Sequence, residues 1–295
     1  MLKHPAVTLA KETYSEWSGN KASHWAAALA YYAIFSLAPT LLITIAIAGL
    51  AFGQSSARDQ IMARVSAEIG ATAAGAVEGL LKGAQKPSAG IIAAALGFLM
   101  LLWAASNLFG CLQDALHTFW RIRPAPGAGF VHFLKGRFLA ALTVLGIGLI
   151  FLLSLTASAV LSAMSRYITQ RFGVPASVLS LADILISVAV FTVMFALLFR
   201  FLPFARAQWR HVWLGGILTS ILFTLGKVLI GFYLARSSTG STYGAAGSLV
   251  LLLLWINYSA QILFLGAEFI YVYARRYGDG IPPAKGATRS DEGVA

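Results

Sequence analysis

The sequence contains six apolar runs long enough to cross a membrane, and these restrict the possible folds more than any other feature. A hydrocarbon core about 30 Å thick needs about 20 apolar residues in a helix. The runs lack the alternation expected of barrel strands, so their backbone groups must be satisfied within helices. We therefore predict an all-α, polytopic membrane helix bundle with six transmembrane helices over residues 25–52, 89–109, 138–161, 176–199, 212–235 and 245–274.

The composition also indicates a membrane protein. Apolar residues make up 58% of the chain and charged residues 11%, against about 25% charged in an average soluble domain. A polar segment, residues 1–24, precedes the first run, and that run is too long for the apolar part of a signal peptide. We expect the first run to be a retained span and no targeting segment to be cleaved.

The distribution of lysine and arginine predicts the orientation. Fourteen of the 22 lie before the first span, in the second and fourth loops or after the last span; seven lie in the other loops and one, Lys227, lies within a span. The excess marks the cytoplasmic side, so both termini are predicted to be cytoplasmic. We predict an N-terminal segment over 1–24, a transmembrane domain over 25–274 and a disordered Gly/Pro-rich tail over 275–295.

The net charge of +11 is divided among short segments beside helix ends. Such segments attract anionic lipid headgroups at the cytoplasmic face, and we expect these rather than nucleic acid as partners.

The charged segment 55–83 between the first two spans has apolar residues at helical spacing, which predicts an amphipathic helix. We expect it to lie on the outer surface of the bilayer or to pack against the helix bundle. The apolar positions are Ile61, Val65, Ile69, Ala73, Val77, Leu80 and Leu81.

Lys227 lies deep in the fifth span. A rise of 1.5 Å per residue from a start near Trp213 places it about 21 Å from the cytoplasmic edge, in the outer half of the bilayer. Asp183 on the fourth helix falls near the same depth and is the predicted partner. Lys227 snorkelling to the outer edge is the alternative. With Asn257, Gln261 and Pro39, these residues form a predicted intramembrane polar layer, a candidate pathway.

Pro39 in the first helix should produce a kink, because proline removes a hydrogen bond and frees the carbonyl of Phe35. The hydroxyls of Ser36, Thr40 and Thr44 are available to bond nearby carbonyls.

A second polar layer is predicted near the cytoplasmic side. Glu268 on the sixth helix lies about 7 Å from that edge, roughly 13 Å in depth from Lys227, too far for a direct ion pair. It shares its predicted depth with Asn107, Tyr31 and Tyr32.

No pattern in the sequence indicates catalysis. The five histidines are scattered, with neither HxH nor HExxH, so no metal and no cofactor is expected. The single cysteine, Cys111, can form no internal disulfide. No nucleotide-binding loop is present either, so any transport would be passive, ion-coupled or driven by a partner.

Three blocks of sequence resemble the YihY/BrkB family of bacterial inner-membrane proteins, formerly labelled ribonuclease BN. They are ALAYYAIFSLAPTLL (28–42), FLPFARAQWRHVWLGGILTSILFTLGKVLIGFYL (201–234) and STYGAAGSLVLLLLWINYSAQILFLGAEF (241–269), and the resemblance covers residues 20 to 275, nearly the whole chain. The resemblance implies a six-helix inner-membrane protein, and envelope-lipid transport has been proposed for relatives. The matching positions are Tyr31, Tyr32, Ser36, Pro39, Pro203, Gly216, Tyr233, Tyr243, Gly244, Trp255, Gly266 and Glu268.

We predict a transporter or flippase-like protein for an amphiphilic or anionic envelope substrate. The alternative is a membrane scaffold or envelope-maintenance factor whose polar layers only specify helix packing, while ribonuclease activity is not supported. Gly216 and Ser220, four residues apart, should allow the close helix approach that the bundle of a transporter needs.

Overall fold

The structure, a computed structural model, is mostly helical in the residues it describes, which are 5–84, 106–124, 176–236, 247–284 and 286–290. The helices are α1 Pro5–Gly19, α2 Ala22–Phe52, α3 Gln54–Ile69, α4 Ala71–Ala84, α5 over 106–119, α6 Ala176–Phe201, α7 Trp209–Arg236 and α8 Gly247–Tyr277. A small antiparallel sheet pairs β1 Ile122–Pro124 with β2 Ala287–Arg289.

Three described helices are long and apolar enough to cross a membrane, and a bent fourth would join them. The three windows are Ile184–Phe201, Trp209–Ile230 and Gly247–Tyr277. Together with α2, they coincide with the first, fourth, fifth and sixth predicted spans. The predicted spans 89–109, apart from its last residues, and 138–161 lie outside the described residues, so the total of six stays a prediction.

The first span is bent at the predicted place. Its parts Ala22–Ala38 and Thr40–Leu50 meet at 40°, and Pro39 between them accounts for the bend because it removes a helical hydrogen bond. The predicted hydroxyl bonds are present: Thr40 Oγ1 donates to the Ser36 carbonyl at 2.7 Å, and Thr44 Oγ1 donates to the Thr40 carbonyl at 2.8 Å.

The segment predicted as one amphipathic helix contains two, α3 and α4. Gly53 precedes α3 and Gly70 separates it from α4, with φ of +81° and +84°. A right-handed helix cannot continue through these angles, and glycine adopts them without the penalty that other residues incur. Both helices contact α2. Ile61, Ile69, Ala73, Val77 and Leu81 are buried, which supports the predicted packing role, while the position relative to the bilayer surface stays a prediction.

The chain forms two compact units, and α7 and α8 each contribute to both. The first unit comprises Met1–Trp120 with Leu225–Glu268, and the second comprises Arg121–Thr224 with Phe269–Ala295.

In the first unit, the end of α5 packs on α8. The Phe119 and Phe264 rings pack edge to face, with their centroids 5.1 Å apart. Trp120, buried, donates from Nε1 to the Ala267 carbonyl at 3.0 Å. An indole buried with its one donor satisfied is a stable anchor, because an unpaired buried N–H is costly.

In the second unit, α6 and α7 pack antiparallel, since Phe191 contacts Phe223 while Ala196 lies beside Gly216. A buried hydrogen bond of 2.7 Å joins the hydroxyls of Thr192 and Ser220. A Cβ at Gly216 would lie 2.9 Å from the Thr192 carbonyl oxygen. The predicted close approach at Gly216 and Ser220 is therefore confirmed.

The described part of the C-terminal region, residues 275–284 and 286–290, differs from the expected disordered tail. Helix α8 continues to Tyr277, and β2 then pairs with β1. The difference arises because the polar tail finds backbone partners in two distant loops, which composition alone does not reveal. Ile281 is also buried, with 2% of its surface exposed.

Candidate functional site

Lys227 lies beside a close approach of α7 to α8 in the first unit. Its neighbour Gly226 faces the phenol of Tyr258, and a methyl group at Gly226 would overlap that ring. Since adjacent helical residues differ by only 1.5 Å along the axis, Lys227 and Asn257 lie near the level of this contact. Lys227 is partly exposed.

Asn257 and Gln261 bond to each other one turn apart on α8. Gln261 Nε2 donates to Asn257 Oδ1 at 2.7 Å, and both side chains are partly exposed. Each amide retains further donors or acceptors beyond this bond. The pair therefore presents polar groups within a predominantly apolar span.

Asp183 lies on α6 and Pro39 on α2, but their side chains are outside what the structure describes. The Lys227–Asp183 pair, and the polar layer as a whole, stay predictions.

Glu268 is sealed inside the first unit. None of its surface is exposed, and its Oε1 accepts a hydrogen bond of 2.7 Å from Asn20 Nδ2. Asn20 lies in the turn between α1 and α2, where Lys21 has a φ of 53°. The hydrogen bond between Asn20 and the buried carboxyl group of Glu268 therefore connects the α1–α2 turn to α8.

The other members of the second layer are more open than Glu268. Tyr31 is 59% exposed. Its ring centroid lies 5.6 Å from that of Tyr32 and 5.1 Å from that of Phe35. Asn107 lies on α5 and is partly exposed. The common depth predicted for these residues stays a prediction.

Two contacts were missed by sequence reasoning. Asn20 is a polar residue in the turn just before the first span, and this position could have marked it as a candidate. Nothing in the local sequence connected it to Glu268. Tyr258 was not predicted as a site residue, because a tyrosine beside Asn257 and Gln261 is typical of ordinary packing between helices. Gly226, directly before Lys227, was the sequence signal that another side chain packs closely against α7 at this point.

Aromatic rings and arginines meet in the second unit. Arg121 and Arg275 each lie 5.5 Å from the centre of the Tyr271 ring. Arg200 lies 5.3 Å from the Trp209 ring and donates to the Ala207 carbonyl. Such cation–π contacts hold guanidinium groups in place.

The described residues contain no group of three His, Cys, Asp or Glu side chains arranged to hold a metal ion. Cys111 is buried, and its burial, with Asp114 nearby, raises the pKa of the thiol to about 11. Because the thiolate is the reactive form, Cys111 should react slowly while the chain is folded.

His117 on α5 makes stability depend on pH. It is 7% exposed, and burial lowers its pKa to about 4 from an ordinary value of about 6.5. As pH falls below about 6.5, the unfolded chain binds a proton that the folded chain excludes, so stability declines until about pH 4. We expect a loss of about 2 kcal/mol between pH 7 and pH 5.

The pH effect can be measured from unfolding midpoints followed by tryptophan fluorescence. His117→Gln should reduce the decline, whereas His24→Gln, at an exposed position, should leave it. A decline of equal size in wild type and His117→Gln would refute the assignment.

The long apolar helices and the polar groups enclosed between them define a polytopic helical membrane protein. The family model described as Virulence factor BrkB matches residues 13–291. The chain therefore belongs to the BrkB family, which confirms the resemblance seen in the sequence.

Related proteins carry the name UPF0761 membrane protein. One from Stenotrophomonas maltophilia strain K279a is 31% identical over 273 residues, covering 89% of this chain and 60% of the relative. One from Pseudomonas aeruginosa strain LESB58 is 28% identical, covering 85% and 59%. The chain thus spans about 60% of the length of these relatives. No solved structure matches.

Proposed function

We propose that this membrane protein moves an amphiphilic or anionic envelope substrate across the bacterial inner membrane without an ATPase of its own. The observation that carries the proposal is the partial exposure of Lys227, Asn257 and Gln261 within two apolar helices that approach closely at Gly226.

Partial exposure within a span has an energetic consequence. An ammonium group facing lipid costs up to about 2.5 to 3.5 kcal/mol, the value that insertion scales give at the bilayer centre, and exposed amides also prefer water. A water-filled or substrate-filled path beside α7 and α8 would remove this cost. Snorkelling reduces the cost for Lys227 but does nothing for Asn257 and Gln261, whose side chains are short.

The charges favour a negative substrate group. Lys227 would attract it within the membrane, and the arginines flanking Tyr271 would attract anionic headgroups at one membrane surface. We place that surface, with both termini, on the cytoplasmic side by the excess of basic residues.

A scaffold is the second candidate, and the burial of Glu268 favours it. A carboxyl group with no exposed surface that accepts a bond from Asn20 can serve to specify how helices pack, with no passage of substrate.

Reconstitution separates the two candidates. In vesicles carrying a fluorescent phosphatidylglycerol, added dithionite bleaches the outer leaflet, so further bleaching measures transfer between leaflets. We expect wild type and Lys227→Arg to transfer the lipid and Lys227→Ala to be about tenfold slower, because a hydrogen bond to a charged group is worth about 1.5 kcal/mol or more and about 1.4 kcal/mol changes a rate tenfold.

Fluorescent phosphatidylcholine is the control lipid, since its headgroup has no net charge. Wild-type transfer of phosphatidylglycerol at the rate of protein-free vesicles would argue against the transport proposal and leave the scaffold.

A further inference from the structure

The tail after α8 is bonded to two loops that lie far from it in sequence. We define the tail latch as residues 281–284 and 286–290, all of which belong to the second unit. The loops are residues 121–124, which contain β1, and residues 202–208, which connect α6 to α7.

The first part of the tail latch bonds to the loop 202–208. The Arg206 N–H donates to the Pro282 carbonyl at 2.9 Å, and the Ala284 N–H donates to the Phe204 carbonyl at 3.0 Å. Between them, Ala205 and Pro283 form an antiparallel bridge. Two bonds that flank a bridge fix the alignment of the two segments.

The second part bonds to the loop 121–124. Strand β2 pairs with β1 in the register Ile122–Arg289, Arg123–Thr288 and Pro124–Ala287. The ladder is extended by the Ser290 N–H, which donates to the Arg121 carbonyl at 2.9 Å. The buried side chains of Ile122 and Ile281 add apolar contacts to the backbone bonds.

We propose that the tail latch is a releasable clasp within the second unit that holds the loops 121–124 and 202–208 together and so limits how far these two loops can separate. One chain segment bonds to both loops, so neither can move away from the other while it is in place. Two strands of three residues are marginal by themselves, so the clasp can open without unfolding the helices. The inference goes beyond the transport proposal and does not depend on it.

Disulfide cross-linking tests whether the clasp exists in the membrane. Directly opposed antiparallel residues have Cα atoms about 4.5 to 5.5 Å apart, within the range for a disulfide. With Cys111→Ala as background, Arg123→Cys with Thr288→Cys should cross-link under mild oxidation. Arg123→Cys with Arg289→Cys is the matched control, because neighbours in a strand point to opposite faces. We expect the control to be about tenfold slower.

Hydrogen exchange tests whether the tail holds both loops. Thr288→Pro removes the β2 N–H that faces Arg123 and should speed exchange of the Arg123 and Arg206 amides by about tenfold. Thr288→Val keeps the N–H and suits a strand, so exchange should match wild type. Equal cross-linking of both cysteine pairs, or unchanged exchange at the two loops in Thr288→Pro, would overturn the clasp whatever lipid transfer shows.

Discussion

Gly216→Leu is expected to lower the free energy of unfolding by about 3 kcal/mol, the upper part of the usual range for overpacking. A Cβ at this position would lie 2.9 Å from the Thr192 carbonyl oxygen and 3.3 Å from the Ala196 Cβ. The oxygen belongs to the backbone of α6, so it cannot turn aside as a side chain can. Relief requires α6 and α7 to separate, which would also break the buried Thr192–Ser220 bond.

Gly79→Leu is the matched control. A Cβ at Gly79 would meet nothing within 4 Å, and leucine is a better helix former than glycine by up to about 1 kcal/mol. The two substitutions should therefore change stability in opposite directions. Unfolding followed by circular dichroism in detergent measures both, and similar losses would mean that the α6–α7 approach is looser than described.

Asn20→Leu should cost about 2 kcal/mol, the typical effect of taking a donor from a buried acceptor. The side chain of Asn20 donates to Glu268 at 2.7 Å, and leucine of similar volume cannot. Unfolding can be followed with a fluorogenic maleimide that reacts with Cys111 as it becomes exposed. The buried thiol, whose pKa is raised to about 11, should be slow to react before then.

A double-mutant cycle isolates the bond. Asn20→Leu combined with Glu268→Leu should lose at least about 1 kcal/mol less than the sum of the single losses, because neither polar partner is then left behind. Strictly additive losses would show that Asn20 and Glu268 are not coupled.

Features encoded by neighbouring residues were predictable from sequence. The bend of α2 follows from Pro39 alone, and the approach of α7 to α6 follows from small residues at Gly216 and Ser220. The break at Gly70 was missed, although it is just as local, because the apolar spacing continues on both sides of the glycine. The helical spacing of apolar residues shows which face of a segment is buried, but it does not show whether the segment is one continuous helix.

Features that depend on distant residues were not predictable. Asn20 and Glu268 are 248 positions apart. The depth predicted for a residue gives its level in the membrane and does not identify the side chain that contacts it. The same limit applies to the tail, whose partners are backbone groups that carry no residue-specific signal. Depth predicted no direct pair between Lys227 and Glu268, which stays a prediction, and it gave no sign of Asn20, which donates to Glu268.

The hydroxyl bonds at the bend of α2 affect its stiffness. An opened turn in lipid normally leaves carbonyls without water, and this raises the energy of any further bending. Thr40 and Thr44 carry their own donors to the Ser36 and Thr40 carbonyls, and these donors move with the backbone as the angle changes. We therefore expect the first span to bend more easily at Pro39 than an uninterrupted helix would, so that its curvature should respond to a change of membrane thickness.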